Sequence, residues 1–142
     1  MFYFYDNFKK GLVYRIMSKQ TIYTEKAPAP IGPYSQAVKV GKTLYVSGQI
    51  PLIAETGQLI TDDIAEETDQ VMKNIWTILN QAGMDFSNVV KCSIFVTDMR
   101  DFSIVNATYE KYFDNDPPAR ETVEVSALPK GVHVEISCIA VD

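Results

Sequence analysis

The chain has 142 residues, 46% of them hydrophobic and 22% charged, enough to bury one substantial core. A net charge of -5 argues against general affinity for nucleic acid or anionic membranes, and no apolar run reaches the roughly 18 residues of a membrane-spanning helix. Two well-separated cysteines and one histidine fall short of the about four ligands that a structural zinc takes. The expectation is a soluble cytoplasmic protein without metal or cofactor, with Cys92 and Cys138 as buried thiols. A disulfide would require their strands to be neighbours, which spacing does not decide.

Residues 1–17 differ from the rest. Phe2, Tyr3, Phe4, Tyr5 and Phe8 precede Lys9, Lys10 and Arg15, the reverse of the charge order in a secretory signal. Met17-Ser18-Lys19 has the look of a start, so this stretch reads as a disordered extension or a mis-assigned start. Residues 18–142 are expected to form a single domain.

Along that domain, Thr21–Thr24 reads as a short strand, followed by the elbow Ala27-Pro28-Ala29-Pro30. Ala37–Val40 and Thr43–Ser47 read as a hairpin turned at Gly41-Lys42, and Gly48–Leu59 as a loop. From Asp62 to Ala82, Ile64, Thr68, Val71, Met72, Ile75, Ile78, Leu79 and Ala82 fall on one helical stripe. Thr61 or Asp62 would cap its start and Gly83 its end. Val89–Val96 alternates as a strand. Arg100–Phe113 reads as a second helix burying Phe102, Val105, Tyr109 and Tyr112 or Phe113. Glu121–Val125 and Val132–Val141 close the chain as strands. This order implies an α+β fold, a mixed sheet with two helices on one face.

Strand alternation sorts the residues by face. Leu44, Val46, Val90, Cys92, Ile94, Val96, Val123, Val125, Val134, Ile136 and Cys138 form the expected helix-covered face. Tyr45, Ser47, Lys91, Ser93, Phe95, Arg120, Thr122, Glu124, His133, Glu135 and Ser137 form the other, suited to solvent or a subunit contact. A site using Arg120 and Glu135 would therefore lie away from the helices.

Arg120 follows the stiff Pro117-Pro118-Ala119 approach. It reads either as a bidentate carboxylate clamp or as a structural ion pair with Glu124 or Glu135. Glu135, mid-strand between Val134 and Ile136, reads either as the partner of a cation or as a partly desolvated acid/base with a raised pKa. Tyr34, between Pro33 and Ser35, suits a pocket wall. Ser47 precedes Gly48, where backbone donors can reach a ligand, but nothing in the sequence supplies a relay that would make Ser47 a nucleophile. Trp76 belongs to the core or the helix surface, and His133 shares the Glu135 face as a candidate partner for it. No glycine-rich phosphate loop is present.

Five motifs occur in order: Ile31-Gly32-Pro33-Tyr34-Ser35-Gln36, Ser47-Gly48-Gln49-Ile50-Pro51, Val105-Asn106-Ala107-Thr108-Tyr109, Pro118-Ala119-Arg120, and Leu128-Pro129-Lys130-Gly131 through Glu135. On these the chain, from Ser18 to Asp142, resembles the Rid family (formerly YjgF), and within it the reactive intermediate deaminase A type. The resemblance implies a chorismate-mutase-like fold, a homotrimer with clefts between subunits, and no cofactor. It implies hydrolysis of 2-iminobutanoate and 2-iminopropanoate, the latter from 2-aminoacrylate, to 2-oxo acids and ammonia. By match, Arg120 would hold the substrate carboxylate and Glu135 would activate water. Tyr34 and Ser47 would line the pocket, the backbone at Gly48 and Thr122 would hold the ligand, and Asn106 would support the cleft.

Two positions depart from the family pattern. Thr122 stands where cysteine is frequent, which a backbone contact would tolerate. Glu121 places a negative charge beside Arg120, harmless if it points away and weakening carboxylate binding if it turns inward. The alternative to a deaminase is a non-catalytic small-carboxylate-binding or regulatory trimer of the same fold. A nuclease reading, attached to some family members, finds no basic stripe here.

Overall fold

The computed structural model describes residues 18–142, so the expectation for residues 1–17 lies outside the described residues. The described chain runs β1 (Lys19–Ile22), β2 (Ala37–Val40), β3 (Thr43–Gln49), α1 (Ile64–Gln81), β4 (Val89–Val96), α2 (Phe102–Tyr109), β5 (Ala119–Glu124) and β6 (Val134–Val141). The strands form one sheet in the order β1-β2-β3-β6-β4-β5. Every neighbouring pair is antiparallel except β4–β5, which is parallel. The chain between those two strands contains α2, the kind of crossover that a parallel pair requires. This is the expected α+β arrangement, a mixed sheet with both helices on one face.

The α1 stripe forms as its spacing predicts: Thr68, Val71, Met72, Ile75, Ile78 and Leu79 are buried against the sheet. Truncating any of the large ones to alanine would cost about 2–5 kcal/mol. The cap is one residue later than expected. Asp63 Oδ1 accepts the N–H groups of Ala65 and Glu66 at 2.8 and 3.0 Å, leaving Thr61 and Asp62 outside the role. Gly83 ends the helix at φ +75°. Its N–H reaches the Asn80 carbonyl, and that of Met84 reaches Leu79, satisfying carbonyls that the helix end leaves open.

The second helix is shorter than its periodicity implied. Single 3-10 turns at Met99–Asp101 and Glu110–Tyr112 flank the eight α-helical residues. Val105 and Tyr109 are buried as expected, but Phe102 is 40% exposed. β1 and β6 also differ at their starts: β1 begins at Lys19 rather than Thr21, and β6 at Val134 rather than Val132.

β5 carries the main correction. Parallel pairing sets Arg120 beside Cys92, Thr122 beside Ile94, and Val123 beside Phe95. Paired residues share a face of the sheet, so Arg120 and Thr122 lie on the helix side, where Cys92 and Ile94 are buried. Val123, expected in the core, is 42% exposed on the open side. Val125 lies beyond the end of β5 and is only partly buried. An edge strand has one neighbour and an incompletely covered inner face, so its valines do not report where the core is. Val90 is corrected for a related reason. A register shift between Val89 and Lys91 turns Val89 into the core and leaves Val90 exposed.

Cys92 and Cys138 sit directly opposite one another on β4 and β6, and both are free, buried thiols. Trp76 is on the helix surface. Among the described residues, no helix is long and apolar enough to cross a membrane.

Candidate functional site

Two separate groups of the proposed residues emerge. The first is on the helix side at the sheet edge. The Arg120 Nη1 donates to Asn106 Oδ1 at 2.8 Å, and its guanidinium carbon lies 5.0 Å from the Tyr109 ring centre and 5.7 Å from that of Phe102. A crevice of about 640 Å³ opens beside it, walled by Pro117, Pro118, Asn106, Tyr109 and Phe113, with the carboxylates of Glu110 and Asp114 also on its lining. Among the described residues no carboxylate lies within ion-pair distance of Arg120. The structural pairing with Glu124 or Glu135 is therefore absent. Glu124 instead accepts the Met99 N–H at 2.6 Å.

Glu121 points to the opposite face. Ser93 Oγ donates to its Oε1 at 2.5 Å, and Lys91 pairs with it, both on the open side. The extra negative charge next to Arg120 in sequence is thus directed away from it. The Thr122 hydroxyl is buried with no hydrogen-bond partner among the described residues.

The second group is built around Glu135. Its strand position pairs with Phe95, which puts the carboxylate on the open face. There it folds over Gly48, in a stretch where three residues of β3 advance against two of β6. A Cβ at residue 48 would fall within the carboxylate's own volume, so any larger residue there would displace the Glu135 side chain. Half-burial alone, with no hydrogen bond to the charged form, pushes the Glu135 carboxyl above its ordinary value of 4.5.

Close by, Tyr34, Gly48, Gln49, Ile50 and Lys130 line a small pocket of about 30 Å³. The Tyr34 loop is fixed from below by Gln36. The buried Gln36 amide donates to the carbonyls of Thr24, Ala27 and Pro28 at 2.9–3.2 Å and accepts the Thr24 N–H at 2.8 Å. Ser47 Oγ donates to the Ser35 carbonyl at 2.6 Å, so this hydroxyl ties the loop to β3. Lys130 holds φ +59°, the one non-glycine residue in the left-handed region among those described.

A single chain therefore does not unite Arg120 with Glu135. They project from opposite faces of the sheet, two strands apart, against the expectation that both share the open face. His133 is also reassigned. Its Nδ1 lies 2.6 Å from Glu67, a fully buried carboxylate on α1, and its backbone N–H donates to the same group at 3.0 Å. Glu67 and the Phe102–Tyr109 pair are what the sequence reading missed. The 102/106/109 spacing of one helical face was the available signal for the latter.

Comparison with known proteins places the chain in a family and a fold. Residues 24–142 match the family described as endoribonuclease L-PSP. A RutC family protein of Pyrococcus abyssi is 50% identical over 124 residues, covering 87% of this chain and 98% of that protein. The mouse protein named 2-iminobutanoate/2-iminopropanoate deaminase is 50% identical over 87% of this chain and 91% of its own. The crystal structure of Escherichia coli TdcF with bound serine, 36% identical, covers 87% of this chain and 98% of that one with a TM-score of 0.83. With sequence and fold agreeing over nearly the whole described chain, the protein belongs to the endoribonuclease L-PSP family, the Rid family formerly called YjgF.

Proposed function

We propose that this protein hydrolyses small 2-imino acids, among them 2-iminobutanoate and 2-iminopropanoate, to 2-oxo acids and ammonia. The observation that carries the reading is Arg120, a guanidinium held by an amide and two rings with no carboxylate within ion-pair distance among the described residues. A cation so placed is ready for an anionic ligand, and its planar fork suits a carboxylate. The name of the mouse relative supports the same substrate class.

Because Arg120 and Glu135 face apart within one chain, the working site is one that a second copy completes. One protomer supplies the Arg120–Asn106 edge with the Thr122 backbone. Its neighbour supplies Glu135, Gly48, Ser47 and Tyr34. A homotrimer packed through the open sheet face, with Tyr45 and Val123 on it, would create three such clefts.

In that cleft the carboxylate sits on Arg120 and the electrophilic iminium carbon faces Glu135. Ionised Glu135 takes a proton from water as the oxygen bonds to that carbon, giving a tetrahedral aminoalcohol. Glu135 returns that proton to the nitrogen, and as the C–N bond breaks and ammonia leaves it takes the hydroxyl proton, leaving the 2-oxo acid; the released ammonia then carries that proton away as ammonium and Glu135 is ionised again. The iminium hydrolyses slowly unaided, so orientation and proton transfer are the protein's contribution.

The test couples threonine dehydratase and threonine to the protein and follows semicarbazide trapping of the imine. Suppressed trapping with wild type but not with Arg120→Ala is expected. Binding of a small carboxylate without any suppression would replace the deaminase with a carboxylate-binding trimer, a reading that the serine bound to TdcF keeps in view.

A further inference from the structure

We propose that Phe102 and Tyr109 are positioning residues that lock the Arg120 guanidinium for carboxylate capture, acting with Asn106 as a ring–amide–ring cradle on one face of α2.

The spacing comes first. Residues 102, 106 and 109 are related as i, i+4 and i+7, so one helical face presents all three toward the sheet edge. Seven residues of α-helix rise about 10 Å. The guanidinium carbon is 5.7 Å from the Phe102 ring centre and 5.0 Å from that of Tyr109, within cation–π reach of both rings. Asn106, midway between them, takes one edge of the guanidinium at 2.8 Å.

Each contact removes a different freedom. The rings restrain the guanidinium plane through attraction of the cation to their π faces. The amide oxygen fixes rotation within that plane and uses donors on one edge only, leaving the remaining N–H groups for a ligand. All three partners are neutral, so none of them forms an ion pair that a ligand carboxylate would have to displace. An Asp or Glu in the same place would hold the side chain equally well but would compete with the ligand. Burial of Tyr109, packed beneath Arg120 and beside Cys92, makes that end of the cradle rigid. Phe102 is partly exposed, and no part of the core depends on it. The cation–π contact with Arg120 is the role the structure gives its ring.

This assignment rests on the proposed carboxylate-clamp role of Arg120, so the experiment separates the two. Side-chain ¹⁵N NMR of the intact protein reads rotation of the Arg120 guanidinium, while steady-state turnover of the imine and titration with 2-oxobutanoate read the ligand. The variants are Phe102→Leu, Phe102→Tyr and Arg120→Ala, with thermal unfolding followed for each.

Wild type is expected to show slowed, resolved Arg120 Nη signals. Phe102→Leu should collapse them, raise KM and the 2-oxobutanoate Kd about five- to twentyfold, and leave kcat within about twofold. Phe102→Tyr, which keeps a ring, should restore all three. Freely averaged Arg120 signals in wild type, or unchanged KM and Kd in Phe102→Leu, would overturn the cradle even with the deaminase reading intact. Slowed signals in a protein that neither binds 2-oxobutanoate nor turns over imine would overturn both the clamp and the cradle's purpose.

Discussion

The carboxylate of Glu135 rests so closely on Gly48 that a Cβ at residue 48 would fall 2.1 Å from its Oε1. Among the described residues no hydrogen bond holds that carboxylate, and the room left by Gly48 is what lets it lie there.

Gly48→Ala therefore tests Glu135 without touching it. The atom in the way is the far end of a flexible side chain, so the carboxylate swings aside rather than the strand. The expected stability loss is under about 1 kcal/mol, against a fall in kcat/KM of about a hundredfold or more. Paired unfolding curves and imine-hydrolysis kinetics check it. A large stability loss with activity unchanged would show that the backbone, not Glu135, had moved.

The pH dependence follows from the direction of the Glu135 shift. Burial raises its folded-state pKa above the ordinary 4.5, which moves the acid limb of kcat/KM upward from that of a free glutamate, with activity rising as Glu135 ionises. For stability the sign is opposite. The contribution of neutral Glu135 is fully present below its unfolded pKa and is lost as pH rises through the higher folded value. Glu135→Gln should thus be at least as stable as wild type at pH 7, almost inactive, and lack the acid limb. Denaturation at pH 4 and pH 7, with a pH–rate profile, reads all three.

At the other edge, Arg120→Lys keeps the charge and loses the planar fork. Asn106→Ala keeps the fork and frees it to rotate. Losing a charge-assisted carboxylate contact is worth about 1.5–3 kcal/mol, roughly ten- to a hundredfold in kcat/KM, for Arg120→Lys. Asn106→Ala should give a smaller loss carried by KM. Equal activity of the lysine variant would remove the bidentate clamp from the mechanism.

Thr122 offers a change in the favourable direction. Its hydroxyl is buried without a partner, so Thr122→Val, of nearly the same shape, should stabilise the fold by about 1 kcal/mol. Since the ligand contact assigned to residue 122 is through its backbone, turnover should stay within about twofold. Thermal unfolding and kinetics on the same preparation decide the matter.

The central strands and α1 were legible from their patterns because they are covered: Leu44, Val46, Ile94, Val134 and Ile136 alternate as buried residues must. β5 was not, because its face is set by parallel pairing with β4, a long-range fact that no local window contains. The consequence for the site was direct. Arg120 and Glu135 were legible as residue types, but the sequence put them on one face, whereas the register puts them on two. Helical spacing carried the α1 core, and it also carried the 102/106/109 face. That face went unread because Phe102 in a short helix resembles any core aromatic. The Glu67–His133 contact joins positions 66 apart, and neither residue's neighbours hint at it.

Cys92 and Cys138 give the fold an internal clock. They face each other on the neighbouring interior strands β4 and β6, shut from solvent, and burial pushes both thiols upward, away from the reactive thiolate. An alkylating reagent meets them only when those strands part, which is the last region of a sheet protein to open. The rate at which the folded protein takes up label thus measures how often its whole architecture comes undone, with no probe added to the chain.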